Sequence, residues 1–272
     1  MPKTIILWLA DMHSGSPASL YPGEPMILTN GPRGPSYLQY QLHKHWIEVL
    51  EYVAEMRKDA DRLVVVNMGD AVEGLHHDSK QIVSSYLEDH KKIHEALMEE
   101  CKQITKYDAL YYVSGTPSHA GEDEESLSNK LKAERYSEGI FTHPILKKKV
   151  YNRLIYAAHH GPSAGKGAAR GNALRNRLRQ LDWQCRMTGQ QVPDMVVWAD
   201  KHDPHEEIYT TQDGHRITGY ILPSWKILDE YMYRVDAFAF SRVGAMVSTH
   251  TDRGVDSEYL TIHIEQNKIG EL

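Results

Sequence analysis

The chain has 272 residues, 41% of them hydrophobic and 25% charged, and a formal net charge of -6. This size and composition exclude a disordered chain and a small disulfide scaffold, and the acidic balance argues against a protein that coats nucleic acid indiscriminately. The two cysteines, Cys101 and Cys185, lack the spacing of a zinc knuckle or a disulfide framework, so we expect a reducing, cytoplasmic setting. No apolar run reaches the length of a membrane span, and we expect no membrane association.

Short apolar runs alternate with longer amphipathic stretches along the chain. Core strands are predicted at 5–10, 63–68, 109–114, 154–158 and 195–199. Apolar residues recur at helical spacing over 38–53, 81–105 and 174–181. Strand-like runs at 217–222, 235–240, 245–248 and 259–264 predict a mostly antiparallel part over 206–272. The alternation predicts an α/β fold, and the lack of repeats and linkers favours a single domain of two packed sheets over 1–272.

One connection is unusually long and lies directly after the first predicted strand. Segment 14–36 contains five prolines and four glycines and shows no apolar period. Loops of this length are often lids or binding loops, although a plain surface insertion fits the composition equally well. Because Asp11 and His13 come just before it, we interpret the segment as a lid.

Each of the five predicted core strands is followed at once by acidic, histidine or hydroxyl side chains. These residues are Asp11 and His13; Asp70; Thr116, Ser118 and His119; His159 and His160; and Asp200, His202, Asp203 and His205. Open α/β sheets place their sites at the carboxyl ends of strands, so we expect these side chains to converge. Aspartate and histidine without cysteine suit manganese, iron or zinc, and the number of ligands suffices for two metal ions. Two such ions are suited to the hydrolysis of phosphoesters.

The motifs D-x-H at 11–13, G-D-x-x-x-G at 69–74, H-G at 160–161 and H-x-x-H at 202–205 resemble those of the calcineurin-like metallophosphoesterases. The resemblance covers 5–205 and implies a four-layer sandwich of two mixed β-sheets flanked by helices. It also implies a pair of divalent ions, with Mn²⁺ expected and Fe, Zn or Ni as alternatives.

Carried over residue by residue, the resemblance implies a ligand set and two catalytic residues. Asp11, His13 and His205 would bind the first metal, His160 and His202 the second, and Asp70 would bridge both. His119 resembles the family histidine that contacts substrate and protonates the leaving oxygen. His159 is interpreted as a packed neighbour, because His160 is the residue that matches the H-G pattern.

The chain departs from the family pattern at three positions. The usual G-N-H becomes Gly115-Thr116-Pro117-Ser118-His119, so an asparagine ligand of the second metal is missing. Thr116 and Ser118 are candidates to replace it, His119 is a third candidate, and the second metal is expected to bind weakly. Ala120 stands where an acid would orient His119, and Lys201 with one extra residue replaces the glycine of the last motif.

A basic block over 147–181 contains nine lysine and arginine residues and no acid. It surrounds His160 and includes a glycine-rich loop that carries Lys166 and Arg170. The block is suited to a phosphate-rich substrate, although a solvated helix face has the same composition. We predict that Lys166, Arg170, His76, Thr116 and Ser118 contact the substrate.

Together these features predict a metal-dependent phosphodiesterase or nuclease that acts on a nucleotide or nucleic acid through a metal-bound hydroxide. A phosphomonoesterase or protein phosphatase is the alternative within the same class. A catalytically degenerate scaffold that binds nucleic acid is the alternative outside it.

Overall fold

A computed structural model describes residues 2–75, 82–117, 121–227 and 242–263, and all structural statements concern these residues. None of the helices in these ranges is long and apolar enough to cross a membrane. Cys101 and Cys185 are both free and buried.

The larger sheet is mixed and carries the first predicted strand near its centre. Its strands are β1 (Lys3–Leu9), β4 (Arg62–Asn67), β5 (Ala109–Val113), β6 (Thr142–His143), β12 (Arg242–Thr251) and β13 (Val255–His263). They lie in the order β13-β12-β1-β4-β5-β6, and β1, β4, β5 and β6 run parallel. The carboxyl ends of β1, β4 and β5 therefore meet at one edge.

The second sheet is also mixed. Its strands are β7 (Leu146–Val150), β8 (Arg153–Ala158), β9 (Met195–Trp198), β10 (His205–Thr210) and β11 (Arg216–Ile221). They lie in the order β10-β11-β9-β8-β7, with β8, β9 and β11 parallel and the two edge strands antiparallel. A separate short hairpin joins β2 (Met26–Leu28) to β3 (Gly31–Arg33).

Helices cover the outer face of each sheet. They are α1 (Tyr37–Arg57), α2 (Leu87–Thr105), α3 (Gly121–Lys130) and α4 (Asn172–Met187). Apolar side chains of α1 and α2 pack with Ile5 and Leu7, whereas the intervening Ile6 and Trp8 fill the space between the sheets. Leu174 and Leu178 of α4 pack on Val196 and Trp198. These four layers confirm the predicted α/β fold of two packed mixed sheets flanked by helices.

The structure differs from the sequence-based elements in several respects, including the short strands β2, β3, β6 and β7, which were not predicted. The strands after residue 206 do not form one sheet, because β10 and β11 extend the second sheet and β12 and β13 the first. Helix α2 begins at Leu87 rather than at residue 81, and α3 carries no apolar stripe long enough to predict it. The predicted strand at 235–240 lies outside the described residues.

The segment 14–36 is held against the core at several points. Leu20 and Tyr21 are fully buried, and the fully buried Asp89 carboxylate accepts hydrogen bonds from the Thr29 amide and hydroxyl. Ser36 then caps α1 through a reciprocal bond with Gln39. The segment is thus fastened at both ends, and its predicted role as a lid stays a prediction.

A buried histidine in β12 makes the stability of the fold depend on pH. His250 is fully buried in β12, where burial and the nearby Arg153 lower its pKa to about 4. The unfolded chain therefore binds a proton that the folded chain does not bind between about pH 6.5 and 4. We expect the free energy of unfolding to decrease by up to about 3 kcal/mol through this window on account of His250.

Urea unfolding at pH 7 and pH 5 measures this effect. The expected result is a smaller loss of stability in His250→Gln than in the wild type over the same interval. Equal losses in the two proteins would contradict the assignment.

Candidate metal centre

Three overlapping groups of carboxylate and imidazole atoms lie at the carboxyl ends of the strands that were predicted from the sequence. In each group the potential ligand atoms lie within 4.8 Å of one another. The groups are Asp11, His13 and His202; Asp11, Asp70 and His159; and His159, His160 and Asp200. Because Asp11 and His159 each belong to two groups, the donors form one continuous cluster rather than three separate sites.

The first group is buried at the end of β1. Nε2 of His202 lies 3.2 Å from Oδ1 of Asp11, and the rings of His13 and His202 meet edge to face with centroids 5.5 Å apart. The other Asp11 oxygen accepts a hydrogen bond from the Asp200 amide. The loops after β1 and β9 are thereby joined through this carboxylate.

The second group is centred on Asp70, which follows β4. Its Oδ2 lies 3.3 Å from Nε2 of His159 and 3.9 Å from Nε2 of His13. Oδ1 accepts a 2.6 Å hydrogen bond from the Thr116 amide, and the Thr116 hydroxyl lies 3.3 Å from both Asp70 Oδ2 and His159 Nε2. Thr116 therefore contacts the cluster at the place where the sequence pattern lacks asparagine.

The two adjacent histidines after β8 face different surroundings. His159 is buried, and its Nδ1 lies 2.7 Å from the carbonyl oxygen of Met68. Burial lowers its pKa, but the carboxylates of Asp70 and Asp11 outweigh that effect and raise the pKa to about 9. His160 has a side chain that is 58% exposed, and its Nδ1 lies 3.2 Å from Asp200. The two histidines therefore differ in burial and in the carboxylates that they contact.

The backbone at these strand ends adopts the left-handed conformation repeatedly. Eight non-glycine residues of the described chain have positive φ, and five of them belong to the cluster: Asp11, His13, Asp70, Asp200 and His202. Aspartate and histidine tolerate this region better than most residues, but the conformation still costs free energy. Such strain is commonly found where a fold aims side chains at a functional site.

Two glycines allow the loops after β4 and β5 to approach each other. A Cβ on Gly115 would lie 2.3 Å from the Asp70 amide nitrogen, and a Cβ on Gly69 would lie 2.6 Å from Cα of Gly115. Any other residue at Gly115 would push Thr116 away from Asp70. The G-D and G-T pairs in the sequence therefore have a steric reason.

A buried acid and a buried lysine support His13, and sequence reasoning missed both. Nδ1 of His13 lies 2.9 Å from Oε2 of Glu73, whose carboxylate accepts hydrogen bonds of 3.0 and 3.1 Å from Nζ of Lys226. All three side chains are less than 8% exposed. Glu73 lies within the G-D-x-x-x-G motif, which gave a weak signal, whereas Lys226 is 153 residues away in the chain.

The charges in this network favour the metal-binding form of His13. Burial lowers the pKa of His13 more than Glu73 raises it, and the pKa of Glu73 is held far below its usual value by His13 and Lys226 despite its burial. A neutral His13, with its Nδ1 held 2.9 Å from Glu73, keeps the Nε2 lone pair for the cluster.

Glu124 of α3 holds the β4 and β5 loops together. Its two oxygens accept hydrogen bonds from the amides of Ala71 and Gly115, at 3.0 and 2.7 Å. Burial raises the pKa of Glu124 to about 7, with a further contribution from Asp70. This side chain fixes the loop positions that bring Thr116 to Asp70.

The donor set fits divalent cations. Oδ1 of Asp11 and Nδ1 of His202 are buried and accept or donate no hydrogen bond among the described residues. The neighbouring ammonium groups of Lys226 and Lys201 contact Glu73 and Asp200. Buried carboxylate beside imidazole, with a lone pair left over, is the chemistry of a site for a hard or borderline metal ion.

Three of the sequence-predicted site residues lie beside the cluster rather than in it. Nε2 of His205 lies 3.3 Å from Glu207 at the start of β10. Arg170 forms a two-pronged ion pair with Asp203, at 2.8 and 2.7 Å, which fastens the glycine-rich loop to the segment after β9. Lys166 begins a short turn in that loop. His76, Ser118 and His119 lie outside the described residues.

The support that Glu73 gives His13 leads to a prediction about metal affinity. Glu73→Gln removes the charge that pairs with Lys226 and weakens the hold on the His13 ring. Loss of a side chain that holds a metal ligand in place costs about 10- to 100-fold in metal affinity, and we expect that loss for Mn²⁺ measured by titration calorimetry. Glu51→Gln, an exposed change on α1, is the matched control. A folded Glu73→Gln protein with unchanged affinity would contradict the prediction.

The sequence matches no protein-family model and no curated protein. Among solved structures, the chain is similar to a predicted phosphoesterase from Streptococcus pneumoniae, with 12% identity over 96% of this chain and 91% of that chain and a TM-score of 0.39. A novel archaeal phosphodiesterase shares 8% identity over 94% of this chain and 99% of that chain, with a TM-score of 0.43. The NAD nucleotidase of Haemophilus influenzae shares 13% identity over 94% of this chain and 55% of that chain, also at 0.43. At this level of similarity, the reaction has to be argued from the geometry of the cluster itself.

Proposed function

We propose that the protein is a metal-dependent phosphodiesterase of the calcineurin-like type, acting on a nucleotide or nucleic acid. The observation that carries the proposal is the continuous cluster of buried carboxylate and imidazole donors, in which Asp11 belongs to two groups of ligand atoms. Overlapping groups suit two adjacent cations better than one. Two divalent cations, with Mn²⁺ expected, would supply Lewis-acid activation of the phosphoryl group and of the attacking water when bound there.

The side chains divide the work of holding these cations. Asp11, His13 and His202 would hold one ion, while His159, with His160 and Asp200 beside it, would hold the other. Asp70 lies near both His13 and His159 and would be shared between the two ions. The Thr116 amide fixes one Asp70 oxygen and leaves the other directed at His159.

Other predicted roles extend the site toward the substrate. Lys166 and Arg170, on the glycine-rich loop, are proposed to hold phosphate oxygens, and Arg170 is positioned by its pair with Asp203. His119 is proposed as the proton donor to the leaving oxygen, with His76 and Ser118 as further substrate contacts. His205 remains a proposed ligand that would have to turn away from Glu207.

Hydrolysis of a chromogenic diester and monoester tests the proposal. Protein stripped with a chelator is assayed on bis(p-nitrophenyl) phosphate and p-nitrophenyl phosphate, without metal and with added Mn²⁺. The proposal predicts turnover that requires metal and favours the diester. A preference for the monoester would support a phosphomonoesterase or protein phosphatase instead.

A second candidate function follows from the hydroxyl at Thr116. A neutral hydroxyl is a poor metal ligand, so a site with threonine instead of asparagine is expected to hold one ion weakly. A catalytically degenerate scaffold would bind nucleic acid in a salt-sensitive way after metal removal and would hydrolyse neither ester. Binding that a chelator abolishes would count against this candidate.

A further inference from the structure

A basic groove opens beside the metal-centre edge of the molecule, between the edge strands β6 and β7. We call it the β6–β7 groove; its volume is about 480 Å³, and it is lined by Arg135, Tyr136, His143, Ile145, Lys147 and Lys148. Val113 pairs with His143 and precedes Thr116 by three residues, and Ala157 pairs with Leu146 and precedes His159 by two. At about 3.3 Å per strand residue, the groove lies roughly 10 Å along the strands from the cluster.

Among the described residues no acid forms an ion pair with the cations of the groove, and the nearby Glu125 carboxylate instead accepts hydrogen bonds from the Phe141 and Thr142 amides. In the described part of the chain, Arg135, Lys147 and Lys148 form no ion pair with a carboxylate, and the nearby Glu134 and Glu138 form none either. The cations lie over aromatic rings instead. Nζ of Lys147 is 4.5 Å from the Tyr156 ring, Nζ of Lys148 is 4.8 Å from the Tyr111 ring, and the Arg135 guanidinium is 5.3 Å from the Phe141 ring. Their charge is thus available to an anion.

An exposed aromatic side chain stands among these cations. Tyr136 is 53% exposed and meets the buried His143 edge to face, with ring centroids 5.3 Å apart. The ring is held in place from one side and leaves a face open to solvent. Proteins bind single-stranded nucleic acid through a positively charged groove that runs along the phosphate backbone and through exposed aromatic rings on which the bases stack.

Lysines on an exposed edge strand have a simpler explanation, because they prevent pairing with another sheet. That explanation covers Lys147 and Lys148, which lie on the edge strand β7. It does not cover Arg135 and Tyr136, which lie outside the strands and face the same groove. Because residues from β7 and from the segment before β6 line the same groove, a ligand-binding role is favoured over protection of the strand edge alone.

We propose that the β6–β7 groove binds single-stranded nucleic acid, so that the enzyme acts on a polymer that reaches from the groove to the metal centre. The inference rests on the proposed function for its catalytic meaning, since a small diester is too short to occupy both places. Arg135 and Lys148 would contact phosphates, and Tyr136 would stack on a base.

Binding and hydrolysis are measured separately in the test. Fluorescence anisotropy follows 20-nucleotide oligo-dT and oligo-U in excess chelator, at several salt concentrations, for the wild type, Arg135→Ala/Lys148→Ala and Tyr136→Leu. The double variant is expected to bind about tenfold or more weakly and to show a shallower salt dependence, because two phosphate contacts are lost. Tyr136→Leu is expected to weaken binding without changing the salt dependence. The two oligonucleotides distinguish DNA from RNA as the preferred polymer.

Matched controls separate the groove from general charge effects. Lys44→Ala/Arg216→Ala removes the same two residue types from exposed positions outside the basic block over 147–181 and is expected to bind like the wild type. Turnover of the chromogenic diester is expected to stay unchanged in the groove variants. Oligonucleotide binding equal to the wild type in both groove variants would overturn the proposal. If the double variant aggregates, wild-type binding by Tyr136→Leu alone would overturn it. Absence of diester turnover in the wild type would count against the proposed function alone, because the binding measurement does not depend on it.

Discussion

Asp70→Asn is expected to lower metal-dependent diester hydrolysis by at least about 100-fold, because changes to residues that merely support a ligand already cost about 10- to 100-fold and Asp70 is a proposed bridging ligand. Asparagine tolerates the left-handed backbone at this position, where φ is 51°, and can still accept the hydrogen bond from the Thr116 amide. The substitution therefore removes the charge between His13 and His159 while leaving the loop in place. Initial rates at saturating Mn²⁺ measure the effect.

Asp59→Asn is the control for this experiment, since Asp59 is exposed at the end of α1 and lies far from the cluster in the fold. It is expected to keep the wild-type rate. Calorimetric titration with Mn²⁺ adds a second measurement, in which Asp70→Asn should bind fewer ions or bind them more weakly. Full activity in a folded Asp70→Asn protein would refute the bridging role.

The second large effect is expected at His159. His159→Asn should reduce hydrolysis by about 100-fold or more, because it removes the buried imidazole that contacts Asp70. His160→Asn should reduce it by about tenfold, since this side chain is half exposed and lies at the outer end of the cluster, beside Asp200. The comparison holds residue type and substitution constant at adjacent positions. The opposite order of effects would restore His160 as the principal ligand, as the H-G pattern predicts.

The alternation along β8 explains why sequence alone could not choose between these two histidines. Ile155 and Ala157 point into the space between the sheets, whereas Tyr156 and Ala158 point toward α4. His159 continues the first set and His160 the second. Both faces of this strand are covered by apolar layers, so the sequence shows no polar and apolar alternation that would reveal the inward face.

The position of the strand-end residues, in contrast, could be predicted from the sequence. Parallel strands end at one edge, so any acid or histidine that follows an apolar run is brought to that edge whatever the details of packing. Asp11, Asp70 and His202 were found in this way and lie in the cluster. Lys226 could not be found, because it reaches Glu73 across 153 residues and follows no recognisable motif. For the β6–β7 groove, the sequence shows only three consecutive lysines and gives no sign that Arg135 and Tyr136 lie opposite them.

Anomalous scattering from a crystal soaked in Mn²⁺ tests the proposed site most directly. The proposed function predicts two peaks, separated by the roughly 3.5–4 Å that is usual for two-metal sites, one bounded by Asp11, His13 and His202 and the other by His159, with Asp70 between them. Occupancy of the second peak is expected to be lower, because Thr116 stands in place of an amide ligand. No peak within ligand distance of Asp11 and Asp70 at saturating Mn²⁺ would contradict a metal centre at these strand ends.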